Sequence, residues 1–347
     1  MVLCVIKNTI MKSLIPVLSV IILFSFSSCK KAEFDSFNGF AQGTTYSIVF
    51  EKNKTITTDS LHKKVESILH DFDMSLSLYI DSSILSRINR NEDVTVDKYF
   101  EEVFRISAEI SVLTGGAFDV TVGPLVRSWG FGPDDHKNFD VRRLDSLMRL
   151  IGMNKVSLEN GKVRKSEPSI NLDFNAIAQG YSVDVVAVYF ESLGINNYLI
   201  EIGGEVRAGG TKNGNLWRIG IDRPEDNNVI PGQNLQAIIR ISDRSLATSG
   251  NYRKFYVEDG IKYSHTIDPK TGYPAKNRLL SATILAADCG TADAVATSCM
   301  VMGHEKAIEF INDHPEFSAY FVISGIDSNY ETWMSESLKE YLTEEGQ

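Results

Sequence analysis

Between residues 198 and 286 the chain reads as a succession of short strand-like runs, at 198–202, 205–208, 217–222, 235–241, 245–249, 253–257, 263–267 and 279–286, each closed by turn residues. Helical spacing brackets this block. Before it lie 60–74, with Leu61, Val65, Ile68, Leu69 and Phe72 on one face, then 97–114, with Phe100, Val103, Phe104, Ile106 and Ile110 inward, and 176–193. After it come helical stretches at 291–302 and 304–314 and a last strand at 318–324. Strands gathered in blocks, instead of alternating one by one with helices, predict an α+β fold with largely antiparallel sheet. Neither a repeat nor a low-complexity linker divides the chain, so one large domain or two intimately joined ones are expected.

The N-terminus reads as a targeting segment. Lys7 and Lys12 lead into the apolar run 13–26, too short for a comfortable membrane span, and Ser27-Ser28-Cys29 follows at once. Small residues directly before a Cys look like a bacterial lipobox, which predicts a signal peptide over 1–28, a lipidated Cys29 and a mature domain over 29–347. Met11 is an alternative start, and a transmembrane anchor ending near Cys29 is the competing reading. Both place the body on a membrane, outside the cytoplasm. Removing 1–28 takes away two lysines and no acids, leaving 33 basic against 45 acidic residues, a net charge of −12. No basic stripe is then available to neutralise phosphates, which argues against nucleic acid. Cys289 and Cys299 are ten residues apart, about 15 Å along one helix, so a disulfide between them is not expected.

Several stretches carry more polar and glycine residues than a core needs. Asp293 and Thr297 stand at i and i+4 and would project from one helix face as oxygen ligands for a hard cation such as Mg²⁺, although a solvated face explains the same spacing. Thr291 would cap that helix, and Ala292, Ala294 and Ala296 would let another backbone or a ligand approach. In 115–125, glycines flank Ala117, Phe118 and Asp119, and Trp129 or Phe131 could stack on a planar ring; a helix stop followed by a turn accounts for the stretch equally well. In 171–184, Asp173 ends a strand and a helix starts near Ala176, whose carbonyl is available to a metal, with Gly180 keeping that helix bare. A simple Asp or Asn cap is the alternative there. Gly203-Gly204 permits a tight turn. Most of 265–274 is explained by the turn sequence 268–272, leaving His265 as a candidate for proton transfer near neutral pH.

Together, Gly43-Thr-Thr-Tyr46, Ser77-Leu-Tyr79 with 83–89, the 117–125 block, 173–184, Gly203-Gly-Glu205, 265–274 and 291–297 occur in one order, and in this the chain resembles the ApbE family of lipoprotein FAD:protein FMN transferases over nearly all of its mature part. The resemblance implies a T-fold-like α+β architecture of two subdomains, FAD bound between them and Mg²⁺ on its pyrophosphate. It further implies transfer of FMN from FAD to a Thr hydroxyl of a partner flavoprotein, often part of a membrane electron-transfer complex, with release of AMP. Residue by residue, it assigns the metal to Asp293, Thr297 and the Ala176 carbonyl, FAD contacts to Gln42, Tyr79, Ala117, Phe118, Asp119, Asp173, Gln179 and Ile267, and a part in the transfer to His265. The chain departs from the family at Gln42, where members often carry Met, at Gln179, where many have a charged residue, and at Asn175-Ala176. Water can replace the Thr hydroxyl, so an FAD pyrophosphatase and a non-catalytic flavin-binding lipoprotein remain open on the sequence.

Overall fold

The structure is a computed structural model that describes residues 32–131, 140–224, 232–251, 255–258, 261–325 and 329–345. The expected signal segment 1–28, Cys29 and Gly132 lie outside the described residues. In chain order the elements are β1 (Phe34–Ala41), β2 (Thr44–Glu51), α1 (Thr58–Leu76), α2 (Ile84–Asn89), α3 (Lys98–Leu113), α4 (Gly123–Ser128), α5 (Leu144–Met148), β3 (Val156–Glu159), β4 (Lys162–Lys165) and α6 (Ala178–Ser192). There follow β5 (Tyr198–Ile202), β6 (Glu205–Gly209), β7 (Trp217–Asp222), β8 (Leu235–Ile241), β9 (Arg244–Gly250), β10 (Phe255–Glu258), β11 (Ile261–Ser264), β12 (Leu279–Ala286), α7 (Cys289–Met302), α8 (His304–Asp313), β13 (Ser318–Ser324), β14 (Tyr330–Met334) and β15 (Leu342–Glu345).

Eight strands form the main sheet in the order β1-β2-β5-β6-β9-β12-β13-β14, and every neighbouring pair is antiparallel. The period of two in a strand sends successive side chains to opposite faces. Leu246, Leu285, Tyr320 and Val322 therefore face the small sheet β15-β8-β7, packing with Trp217, Ile219, Ile239 and Ile241. Their neighbours Ala247, Ile284, Phe321 and Ile323 face the helices, joining residues of α3, α7 and α8. A further cluster packs α1 and α6 onto β1, β2 and β5. The result is a layer of helices, a central sheet and a partial second sheet, an α+β fold as the block pattern predicts.

Helix α7 lies inside this stack, against β9, β12 and α6. Ala292, Ala294, Val295, Ala296 and Cys299 are fully buried, and the equally buried Ser298 turns its hydroxyl onto the Ala294 carbonyl of the same helix. It begins at Cys289, and Asp288, not Thr291, is its cap: Asp288 Oδ1 accepts the Thr291 N–H at 2.8 Å. Cys289 and Cys299 are both buried, free thiols. Asp173 does not end a strand. It lies in a segment outside the strands, where its Oδ1 accepts the Asn175 N–H at 2.9 Å and turns the chain, so that α6 starts at Ala178, two residues later than expected. The strand expected at 263–267 ends at Ser264, and Ile267 instead forms an isolated bridge with Pro274. Among the described residues no helix is long and apolar enough to cross a membrane.

Phe321 sits fully buried between the central sheet and the helices, its ring 5.1 Å from that of Trp333. Phe321→Ala is expected to cost about 3–5 kcal/mol, read as a lower urea midpoint with an unchanged slope.

Candidate active site

The starts of α6 and α7 approach so closely that only glycine fits at position 180. A Cβ there would lie 2.4 Å from the Cys289 carbonyl oxygen and 2.8 Å from Asp293 Cβ. The close approach redirects a backbone bond. In a regular helix the Gly180 N–H would donate to the Ala176 carbonyl, four residues back. It donates instead to Asp293 Oδ2 at 3.1 Å, and the Ala176 carbonyl receives no hydrogen bond among the described residues. One turn beyond Asp293, the half-buried Thr297 places its hydroxyl 3.1 Å from Ser249 Oγ on β9. A carbonyl just before α6, a carboxylate in the first turns of α7 and a hydroxyl one turn further along α7 are thus the oxygens the two helices offer.

Asp293 is 7% exposed, and its burial pushes the carboxyl up to about 7, with the single Gly180 N–H opposing that rise. A buried carboxylate with one donor lacks a countercharge. The three oxygens fit a magnesium ion, which takes few protein ligands and completes its octahedron with water and phosphate oxygens. They do not fit zinc, and no group of three His, Cys, Asp or Glu side chains is poised for a metal among the described residues.

Beside this crossing lie the two predicted glutamines. Gln42 and Gly43 make the β1–β2 turn with φ of 54° and 74°, both left-handed. The Ser182 hydroxyl on α6 lies 2.7 Å from the Gln179 carbonyl and 3.2 Å from Gln42 Oε1, while Gln42 Nε2 is buried without a partner. The Gln179 amide lies over the paired-glycine turn, since a Cβ on Gly203, at φ 67°, would be 1.7 Å from its Nε2. Gln42, Gln179, Gly203, Asp293 and the Ala176 carbonyl are therefore grouped around the start of α6.

The remaining predicted residues form a second grouping. Asp119 Oδ1 accepts the Thr121 N–H and hydroxyl at 2.8 and 2.6 Å, and its Oδ2 accepts the Met153 N–H at 3.0 Å. The Asp173 N–H donates to the Val120 carbonyl at 2.7 Å, which joins this block to the segment leading into α6. The Ala117 and Phe118 side chains are buried in the core. Trp129 does not offer its ring to a ligand: it is buried, its indole N–H donates to the Gly272 carbonyl at 2.8 Å, and it packs with Leu125, Ile151 and Ile267. Half-buried His265 lies edge-on to Phe131 at 6.4 Å. The turn at 268–272 forms as expected, with the Gly272 N–H on the Asp268 carbonyl at 2.8 Å. Tyr79 is largely exposed.

Ser249, Ser182 and Asp184, all in or beside this site, were not singled out by sequence. Each acts through a partner far along the chain, and only the place of Ser182 and Asp184 inside a glycine-bearing helix start hinted at them.

The raised Asp293 carboxyl has a pH signature. A folded-state value above the unfolded one favours folding at low pH, and that contribution is lost as pH rises from about 4 through about 7. In magnesium-free buffer, Asp293→Asn is expected to exceed the unmodified protein in stability by on the order of 2 kcal/mol at pH 8 and to lose that advantage towards pH 4, measured by urea unfolding across the range.

The ApbE family model matches residues 42–321. The FAD:protein FMN transferase of Vibrio cholerae is 36% identical over 331 residues, spanning 92% of this chain and 97% of that protein. That of Haemophilus influenzae is 35% identical over 350 residues, 96% of this chain and 99% of its own. Among solved structures, the flavin transferase ApbE from Vibrio cholerae matches with a TM-score of 0.80 over 90% of this chain and all of that one, at 36% identity. The apo form of the Pseudomonas stutzeri flavinyl transferase ApbE matches with 0.81 at 30% identity, over 90% of this chain and 97% of that one. With its family match, its relatives and its fold in agreement, the chain is a member of the ApbE family.

Proposed function

We propose that this protein transfers FMN from FAD to a Thr hydroxyl of a partner flavoprotein, in a reaction that requires Mg²⁺. The observation that carries the cation is the diverted Gly180 N–H, which leaves the Ala176 carbonyl without a donor beside a buried, under-partnered Asp293. The activity follows from the relatives that bear that name. In the reaction the acceptor oxygen bonds to the FMN phosphorus, the bridging P–O bond of the pyrophosphate breaks, AMP leaves with the bridging oxygen, and the hydroxyl proton is lost. Ala176, Asp293 and Thr297 would hold the cation, which neutralises charge on the pyrophosphate. The Ser249 and Thr297 hydroxyls share a hydrogen bond, and with Thr297 as its donor a lone pair of Thr297 would be left for the cation. His265 is the proposed acceptor of the Thr proton, a role typically worth 10²–10⁴-fold. Gln42 and Gln179, at the mouth of α6, and the exposed Tyr79 are the proposed FAD contacts.

Residues 1–28 are proposed as a signal peptide and Cys29 as the lipidated first residue of the mature protein, holding the domain on the outer side of a membrane. The support is the Lys-flanked apolar run 13–26 ending in Ser27-Ser28-Cys29. A labelled fatty acid is expected to be incorporated into the unmodified protein and not into Cys29→Ser; equal incorporation into the two would contradict lipid anchoring.

Incubation of the purified protein with FAD and Mg²⁺, with and without a flavoprotein acceptor domain, tests the activity. Flavin fluorescence on the denatured acceptor is the expected result. AMP released without acceptor would mean hydrolysis, and unchanged, tightly held FAD would mean binding alone. Asp293→Ala is expected to lower transfer at least 10³-fold, as judged from one charge-stabilising group lost at the reacting phosphate. Full activity of that variant without Mg²⁺ would refute the cation assignment.

A further inference from the structure

Asp184 lies one turn after Gly180 on α6 and is 5% exposed. Its Oδ2 accepts the N–H groups of Cys289 and Gly290, each at 2.8 Å, and its Oδ1 accepts Arg207 Nη1 at 2.7 Å. The first two amides of α7, which no turn of that helix can satisfy, are therefore held by a side chain of the neighbouring helix. The cap of α7 itself, Asp288, holds the Thr291 amide with its side chain and the Ala292 amide with its carbonyl. Arg207 comes from β6 and also donates to Glu191 Oε1 at 3.2 Å, and that carboxylate accepts the Tyr198 hydroxyl of β5. The carboxylate thus ties both helices to the central sheet.

The two links between the helices form a ladder. Gly180 bonds to Asp293, and Asp184, four residues on, bonds to Cys289, four residues back. The helices therefore cross antiparallel, with one rung on each of two successive turns. Gly290 packs against Tyr181 between them, where a Cβ would come within 3.1 Å of the Tyr181 Cβ. The first rung is a neutral amide on the carboxylate proposed to hold the cation. The second places two backbone amides on one carboxylate that is also braced by a guanidinium, which makes it the stronger of the two. Neither Asp184 nor Arg207 is among the proposed cation or FAD contacts.

We propose that Asp184 and Arg207 are positioning residues for the cation site: they lock α7 against α6 and so fix the distance between the Ala176 carbonyl and the Asp293 carboxylate. The proposal rests on the cation reading given under Proposed function. Groups that orient metal ligands without touching the metal typically change its affinity 10–100-fold when removed. A purely structural cap would lower the melting temperature and leave the affinity of the folded protein unchanged.

The test uses the detergent-solubilised full chain and its Asp184→Asn, Arg207→Gln and Arg207→Lys variants. Magnesium chloride is titrated calorimetrically without FAD, alongside thermal melts in magnesium-free buffer and transfer assays over a range of Mg²⁺. Asp184→Asn and Arg207→Gln are expected to melt cooperatively, to bind Mg²⁺ at least tenfold more weakly, and to regain transfer to within about threefold of the unmodified enzyme at saturating Mg²⁺. Arg207→Lys, which keeps the charge, is expected to recover part of the affinity. Unchanged Mg²⁺ affinity in the folded variants would overturn the proposal. So would failure of both Asp184→Asn and Arg207→Gln to fold, because the pair would then be a requirement of the fold itself. Absence of Mg²⁺ binding by the unmodified protein would overturn the cation reading, a result distinguishable from the others because it needs no variant.

Discussion

The hydrogen bond from the Gly180 amide to the Asp293 carboxylate is the point on which the site depends. It requires two helix starts at a separation that no side chain at position 180 would permit. That separation in turn requires α7 to be buried on every face, and so requires the central sheet, the small sheet behind it and α3 and α8 around it. A single amide spent on Asp293 instead of on its own helix leaves the Ala176 carbonyl without a donor among the described residues, a local irregularity at the start of α6.

The three layers leave α7 with few polar side chains. Its middle offers alanines, Val295 and Cys299 to the sheet, none able to bond an ion or a phosphate. Its polar side chains are Thr291, Asp293, Thr297 and Ser298, and of these Ser298 spends its hydroxyl on the helix's own Ala294 carbonyl. The second grouping, around Asp119 and the Trp129–Gly272 bond, does a different job. Asp119 spends both oxygens on donors of Thr121 and Met153, and so ties the turn after α3 to the segment before β3. His265 is placed by the segment after β11, whose turn is closed by Asp268 and held down by the Trp129 indole.

Much of the fold was legible because burial writes itself into spacing. The strands at 198–202, 217–222, 235–241, 279–286 and 318–324 have the spans read from sequence, since their inward positions face a core on one side or both. Helix α2 has six residues, too few to display a period. The β3–β4 hairpin passed unnoticed because Lys162–Lys165 carries little apolar alternation, although its Asn160-Gly161 turn, with φ of 51° and 72°, was a readable signal. In the site, Asp293 and Thr297 could be found because they sit four apart on one helix. Asp184 and Ser249 could not, because their partners are 105 and 48 residues away. Trp129 misled for a chemical reason: an aromatic among glycines has the composition of a ligand platform, and only the indole N–H on a buried carbonyl shows that the ring belongs to the core.

The burial of Asp293 makes a proton and a cation rivals for the same oxygen. A carboxyl raised towards neutrality holds its proton over much of the range in which an exposed one has already lost it. Any cation taken there at neutral pH displaces a fraction of a proton, so occupancy of the site is coupled to the acidity of the surrounding medium. The same apolar wall that raises the carboxyl would therefore set both its hold on a proton and its hold on a cation, and the two could not be tuned apart without changing how deeply α7 is buried.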